Sequence, residues 1–141
     1  MKSITALLAL TLLLAVASNR CYAVMEMIVV VSKERAKQLG MEIRFTKNGP
    51  NEIWVELEFK PEGKLKDFKH VSLEIRDGGK FLLGYAPLGE KRPKSGSVVV
   101  GFLANRAYLD KVSLRVMAGH PTDLTGYELR MKEFVAPGKA R

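Results

Sequence analysis

The feature that most constrains this chain is the alternation of apolar and polar side chains along a series of short segments. The clearest case is the pair of segments 41–46 and 52–60, which are joined by the turn sequence NGPN at 48–51. Successive side chains of a β-strand point to opposite faces, so this pattern predicts strands with one buried face. Similar segments recur at intervals of roughly ten residues, with turn sequences between them.

These segments predict an all-β domain. The connections between them are too short for the crossover that parallel neighbours require, so we expect antiparallel pairing. The predicted fold is an immunoglobulin-like β-sandwich of about eight strands with one short helix, and a small β-barrel is the alternative.

The hairpin formed by the two clearest segments has two possible registers. Opposed residues share a face of the sheet, so Phe45 must lie opposite either Ile53 or Val55. The first register places Arg44 opposite Trp54 and the second places it opposite Glu56, and the sequence favours neither register.

One segment has a helical signature. Ser32 is a typical N-terminal capping residue, residues 33–39 are mostly good helix formers, and Gly40 can adopt the left-handed conformation that ends a helix. Only Ala36 and Leu39 are apolar, so this helix is predicted to pack across an open end or edge of the β structure.

Glycine and proline limit individual strands. Gly84 and Pro87 predict that their strand lies at a sheet edge or is bulged, and Gly101 predicts a bulge in a later strand. Residues 105–110 are predicted to form a compact turn in which Leu109 packs inward.

The N-terminus has the three parts of a secretory signal peptide. Lys2 provides a positive charge, and residues 4–17 are apolar apart from two threonines. Cys21 and Ala23 are small enough for the signal peptidase pockets, so cleavage is predicted after Ala23, with Ala17 as the alternative. The apolar run is shorter than the about 20 residues that span a bilayer, which favours export over anchoring.

The predicted domain boundaries follow from this cleavage. Residues 1–23 form the signal peptide, residues 24–135 a single domain, and residues 136–141 a frayed tail. Because Cys21 is the only cysteine, cleavage leaves a chain without thiols. The mature domain is therefore predicted to have no disulfide, and its stability must come from its core.

The chain is basic. It carries 23 Lys and Arg against 15 Asp and Glu, and cleavage removes Lys2 and Arg20 to leave 21 against 15. A surplus of this size attracts polyanions at long range, although it is also ordinary for a soluble protein.

Basic residues concentrate on two predicted connections between strands. They are Lys60, Lys64, Lys66 and Lys69 on the first connection, and Lys91, Arg92 and Lys94 on the second. In a sandwich these connections lie either at the same end, where they form a positive patch, or at opposite ends. The alternative interpretation is a solvated loop surface. No stacking aromatics are interleaved with the basic residues, which disfavours nucleic acid as a partner.

Trp54 is predicted to lie on the outer face of its strand. An exposed tryptophan there is a candidate for contact with sugar rings or with a partner domain. The alternative is that the predicted helix or a second sheet covers it.

The sequence does not favour catalysis. His120 and Asp123 share a polar loop and are the only candidate for a hydrolase site, which we disfavour because loop histidines beside proline are usually solvated. Two separated histidines without cysteine make a poor metal site, and no phosphate-binding loop or nucleophile elbow is present. We predict no catalytic residues, no metal and no cofactor.

Three segments resemble small secreted bacterial proteins of unknown function. They are SKERAKQLG at 32–40, the segment 102–116 with Arg106, Leu109 and Asp110, and GYELR at 126–130 continuing to Phe134. The resemblance covers most of the mature chain and implies a bacterial, exported setting. It implies no activity and no site residues.

The sequence therefore predicts an exported domain, periplasmic or extracellular, that is monomeric or weakly associating and acts by binding. The expected ligand is an acidic polymer or an acidic protein surface, contacted by the basic loops and Trp54. One alternative is a structural or accessory subunit that pairs through an open strand edge such as residues 25–31. The second alternative is the disfavoured hydrolase at His120 and Asp123.

Overall fold

A computed structural model describes residues 25–78 and 80–135. The predicted signal peptide and its cleavage sites lie outside the described residues, and so does the predicted tail at 136–141. The predictions for those segments therefore stay predictions.

The described residues form nine strands, two short α-helices and two 3-10 turns. The strands are β1 (Met25–Val30), β2 (Glu42–Lys47), β3 (Glu52–Phe59), β4 (Phe68–Asp77), β5 (Lys80–Pro87), β6 (Glu90–Lys91), β7 (Val98–Asn105), β8 (Val112–His120) and β9 (Asp123–Arg130). The helices are α1 (Lys33–Gln38) and α2 (Met131–Phe134), and the 3-10 turns are Gly63–Leu65 and Arg106–Lys111.

The strands form two open sheets. One has the order β1-β9-β8-β4-β5 and the other β2-β3-β7-β6. Apolar side chains of both sheets share one core, so the fold is the predicted all-β sandwich rather than a barrel. The strand beyond the predicted eight is β6, which has two residues and lies in a segment expected to be a loop.

Pairing is antiparallel except between β1 and β9, which run parallel. The predicted antiparallel pairing is wrong for this pair, because short connections constrain only strands that are neighbours in the chain. Because β1 and β9 are the first and last strands along the described chain, nearly the whole fold separates them in sequence and provides the crossover that a parallel pair needs.

The β2–β3 hairpin adopts the second of the two predicted registers. Phe45 lies opposite Val55, and Arg44 lies opposite Glu56. The sequence analysis allowed both registers because each keeps the apolar faces together. The observed register also brings opposite charges into contact across the strands, since an Arg44 nitrogen lies 3.4 Å from a Glu56 oxygen.

The predicted helix is confirmed as α1. The Ser32 Oγ accepts a hydrogen bond of 3.2 Å from the Arg35 backbone N–H, and Gly40 has a φ of 69° just after the helix. Ala36 is buried in the core. Because α1 connects β1 to β2, which are edge strands of different sheets, it lies across an edge of the sandwich as expected.

The core fills the space between the sheets with large apolar side chains. The largest fully buried ones are Phe59, Leu57, Leu65, Leu114, Leu129, Met131, Val31, Val55, Val71, Val98, Val100 and Val116. Burial of each contributes about 1.5–3 kcal/mol relative to exposure. The predicted packing of Leu109 is confirmed, and so is the edge position of β5 with an irregular register against β4.

A buried ion pair lies on the outer face of the five-stranded sheet. One nitrogen of Arg115 lies 3.3 Å from Glu74, and another lies 3.3 Å from Glu26 on β1. The side chains of Arg115 and Glu74 are 5% and 3% exposed, whereas that of Glu26 is 42% exposed. The same guanidinium therefore has one buried and one solvated carboxylate partner.

This difference in burial predicts that two substitutions of the same type lower the free energy of unfolding by different amounts. We expect Glu74→Gln to lower the free energy of unfolding by about 3 kcal/mol, because it removes a buried carboxylate charge that pairs with both Arg115 and Arg76. Glu26→Gln should lower it by less than about 1 kcal/mol, because solvent screens that pair. Urea denaturation of both variants measures the two costs, and equal costs would contradict the assigned roles.

Candidate functional site

The two basic connections lie at the same end of the sandwich. Phe59, the last residue of β3, pairs with Val98, the first residue of β7, so the segments before Val98 and after Phe59 are neighbours. The rings of Phe59 and Phe68 pack edge to face with 5.1 Å between their centres, which returns the first connection to the same end. We call this surface the basic end, and it consists of Lys60, Lys64, Lys66, Lys69, Lys91, Arg92 and Lys94.

A direct contact joins the two connections. The guanidinium of Arg92 lies 5.7 Å from the centre of the Phe68 ring, within the range of a cation–π interaction. Two nitrogens of Arg92 also lie 2.9 and 3.0 Å from the Glu90 carboxylate. The sequence predicts Arg92 as a binding residue but not its contact with Phe68, because a contact between residues distant in the chain leaves no local sequence pattern.

The first connection is held in place by a side chain that packs into the core. Its 3-10 turn begins at Gly63, whose φ of 55° suits glycine, and it places Leu65 fully inside the core. Lys64 and Lys66 flank this anchor and are exposed. A buried leucine between two solvated lysines therefore fixes the backbone of the loop and leaves its charges free to meet a ligand.

The basic end has a clear charge surplus. Residues 60–69 and 90–94 together carry seven cations, all exposed, against the three carboxylates of Glu62, Asp67 and Glu90. A local surplus of this kind raises the concentration of anions at the surface and speeds their encounter.

A cleft of about 600 Å³ lies beside the basic end, between α1 and the first connection. Phe59 and Ser97, which are both buried, contribute to its lining. Its charged lining residues are Arg35, Lys60, Lys64, Glu42, Glu58 and Glu62. Since these charges balance, the attraction for anions comes from the exposed loops rather than from the cleft.

Trp54 is not part of the basic end. It lies on the outer face of the four-stranded sheet, opposite Leu103 of β7, and is 38% exposed. Phe59 follows it by five positions along β3, which corresponds to about 17 Å along an extended strand. Five of the six predicted binding residues therefore lie at the basic end: Lys64, Lys66, Lys91, Arg92 and Lys94. The sixth, Trp54, does not.

The position of Trp54 explains Gly101. A Cβ atom on Gly101 would lie 2.3 Å from Trp54 Cζ2, so only glycine allows the indole to lie across β7 at this point. The predicted bulge at Gly101 is wrong, because this residue pairs with Glu56 in an unbroken β3–β7 register. Glycine within a strand marks either a bulge or a place where another group comes close to the backbone, and here the Trp54 side chain comes close.

The face that carries Trp54 is acidic. Arg44 lies 2.9 Å from Glu42, 3.4 Å from Glu56 and 3.0 Å from Glu58. The hydrogen bonds from Arg44 hold the pKa of Glu42 below its ordinary value. The three carboxylates outnumber the single guanidinium that they contact, so the part of this face around Arg44 is acidic, in contrast to the basic end.

The disfavoured hydrolase site gains no support from the geometry. His120 and Asp123 pair at the β8–β9 turn and are both exposed, and the His120 Nδ1 lies 2.9 Å from Thr122 Oγ1. Within residues 25–78 and 80–135, no group of three or more His, Cys, Asp or Glu side chains is arranged to hold a metal ion. In the same part of the chain, no helix is long and apolar enough to cross a bilayer.

Comparison with known proteins identifies no relative: no protein-family model, no curated protein and no solved structure matches this chain.

The contact between Trp54 and Gly101 gives a testable prediction. Gly101→Ala should lower the free energy of unfolding by about 1–3 kcal/mol, because the added methyl group displaces the indole. The single tryptophan reports the displacement through its fluorescence. Gly89→Ala is the matched control, because no atom lies within 4 Å of the added Cβ there. Equal stability and unchanged fluorescence in both variants would contradict the packing.

Proposed function

We propose that this protein is an exported, non-catalytic binding module whose basic end binds an acidic polymer. The observation that carries the proposal is the convergence of two basic connections at one end of the sandwich, where Arg92 lies over Phe68. Seven exposed cations on two neighbouring connections and the adjoining strand ends can follow the closely spaced charges of a polyanion.

The surface chemistry favours a polymer over a folded protein partner. Protein–protein interfaces have an apolar centre, often with aromatic residues. The large apolar side chains that the structure shows as exposed are Met27, Ile28, Val30, Trp54, Leu103 and Tyr108. Each of these lies outside the two basic connections, so the basic end offers charge without an apolar centre.

The exported setting is part of the proposal. It is supported by the signal-peptide pattern at the N-terminus and by the resemblance of three segments to small secreted bacterial proteins. In that setting, acidic glycans are the polymer class that exposed lysine and arginine side chains suit best.

The test is the affinity for heparin, used as a probe of acidic glycans, as a function of salt. Ion pairing with three or four anionic groups predicts a loss of affinity on the order of 100-fold between about 50 and about 200 mM salt. Replacing Lys91, Arg92 and Lys94 by glutamate should abolish binding at about 150 mM salt, where wild-type binding persists.

A matched control reverses the same number of charges at the other end of the sandwich. Lys47, Lys80 and Lys132 are exposed and lie where β3 begins, at the β4–β5 turn and after β9. Their replacement by glutamate should weaken binding much less, although the net charge changes equally. Binding that is independent of salt, or that is lost equally in both triple variants, would overturn the proposal.

A further inference from the structure

We infer that β1 is a pairing edge, through which two copies of this chain associate by antiparallel contact between their β1 strands. Such pairing would join two five-stranded sheets into one continuous sheet. The inference rests on the strand edges of the sandwich and is independent of the proposed polymer binding.

Among the described residues, three of the four edge strands carry features that oppose pairing. β5 contains Gly84 and Pro87, and its register against β4 is irregular. β2 has charged residues at three of its six positions, and β6 is only two residues long. Charges, proline, irregular register and short length are the usual means by which natural sheets prevent edge-to-edge association.

The fourth edge, β1, lacks these features. Its sequence MEMIVV contains no proline, no glycine and a single charge, Glu26, which the Arg115 guanidinium contacts at 3.3 Å. The register with β9 is unbroken over all six residues. β1 is therefore a regular apolar strand with one free edge in the described structure.

The backbone of β1 has hydrogen-bonding groups available for a second strand. The Val31 N–H donates to the Glu128 carbonyl at 2.8 Å, which fixes the alternation along the strand. In a parallel pair, every second residue directs its N–H and C=O to the neighbour and the others direct theirs outward. Glu26, Ile28 and Val30 therefore present their backbone groups at the free edge.

The side chains at this edge are exposed and apolar. Met27, Ile28 and Val30 are 57%, 40% and 46% exposed. Solvent-exposed apolar groups beside unpaired backbone groups gain from both hydrogen bonding and burial when another strand adds to the sheet.

Charge favours a second copy in antiparallel orientation. β1 begins where β9 begins, next to the β8–β9 turn, and the N–H of Gly119 near the end of β8 donates to the backbone carbonyl of Asp67 in the first basic connection. β1 thus runs away from the basic end. Antiparallel pairing would place the two basic ends at opposite ends of the joined sheet, where their repulsion is weakest.

The pairing geometry is also self-complementary. With the two-fold axis at Ile28, each Glu26 would lie opposite Val30 of the other copy, so no like charges are opposed. Contact through one six-residue strand is smaller than a standard stable interface, so we expect a dimer with a Kd between about 10 µM and about 1 mM.

The first measurement is sedimentation equilibrium of the processed protein without polyanion, over concentrations from about 5 µM to about 1 mM. We expect a reversible monomer–dimer equilibrium that changes little with salt. Backbone amide exchange, followed by NMR at both extremes, should slow at Ile28 and Val30 at high concentration by about fivefold or more. Met27 and Val29 should not change, because their N–H groups already bond to β9.

Substitutions of Ile28 distinguish association through the β1 edge from association through another surface. Ile28→Pro removes the outward N–H and should abolish the dimer, whereas Ile28→Val keeps it and should dimerise like the wild type. If Ile28→Pro does not fold, Ile28→Lys serves instead. It would place the two lysine side chains opposite each other at the two-fold axis, where their positive charges repel. A monomer at all concentrations, or dimerisation unaffected by Ile28→Lys, would overturn the inference and would leave polymer binding untouched.

Discussion

The contact between the inner apolar faces of the two sheets is the constraint on which the rest of this structure depends. The chain has a single cysteine, so no intramolecular disulfide can hold the sheets together. Phe59, Leu65 and Phe68 lie at one end of this contact, and their packing sets the course of the first basic connection. The position of the charged loops is therefore a consequence of how the core is filled.

The sequence analysis predicted the sandwich, α1 and the turn around Leu109 because each depends on local periodicity or on a capping residue. It left the β2–β3 register open because both choices satisfy the alternation. It misread Gly101, because a glycine under an indole and a glycine in a bulge look alike in a sequence. Whether the basic loops share one end depends on which strands are neighbours, and alternation does not encode that order.

Three surfaces of the molecule differ in charge and polarity. Exposed cations on two neighbouring connections form the basic end, Trp54 shares the outer face of one sheet with the carboxylates around Arg44, and β1 offers an apolar edge of the other sheet. An acidic polymer at the basic end would leave the tryptophan face and the β1 edge free. Binding and association are therefore compatible in one small domain.

The most direct test is a residue-by-residue map of polymer binding, recorded as NMR chemical-shift changes of residues 24–141 during titration with a short heparin oligosaccharide. The account predicts that the changes concentrate in residues 60–69 and 90–97, and that the Trp54 indole and Lys47, Lys80 and Lys132 stay unperturbed. Changes centred on Trp54, or spread evenly over all exposed lysines, would contradict it.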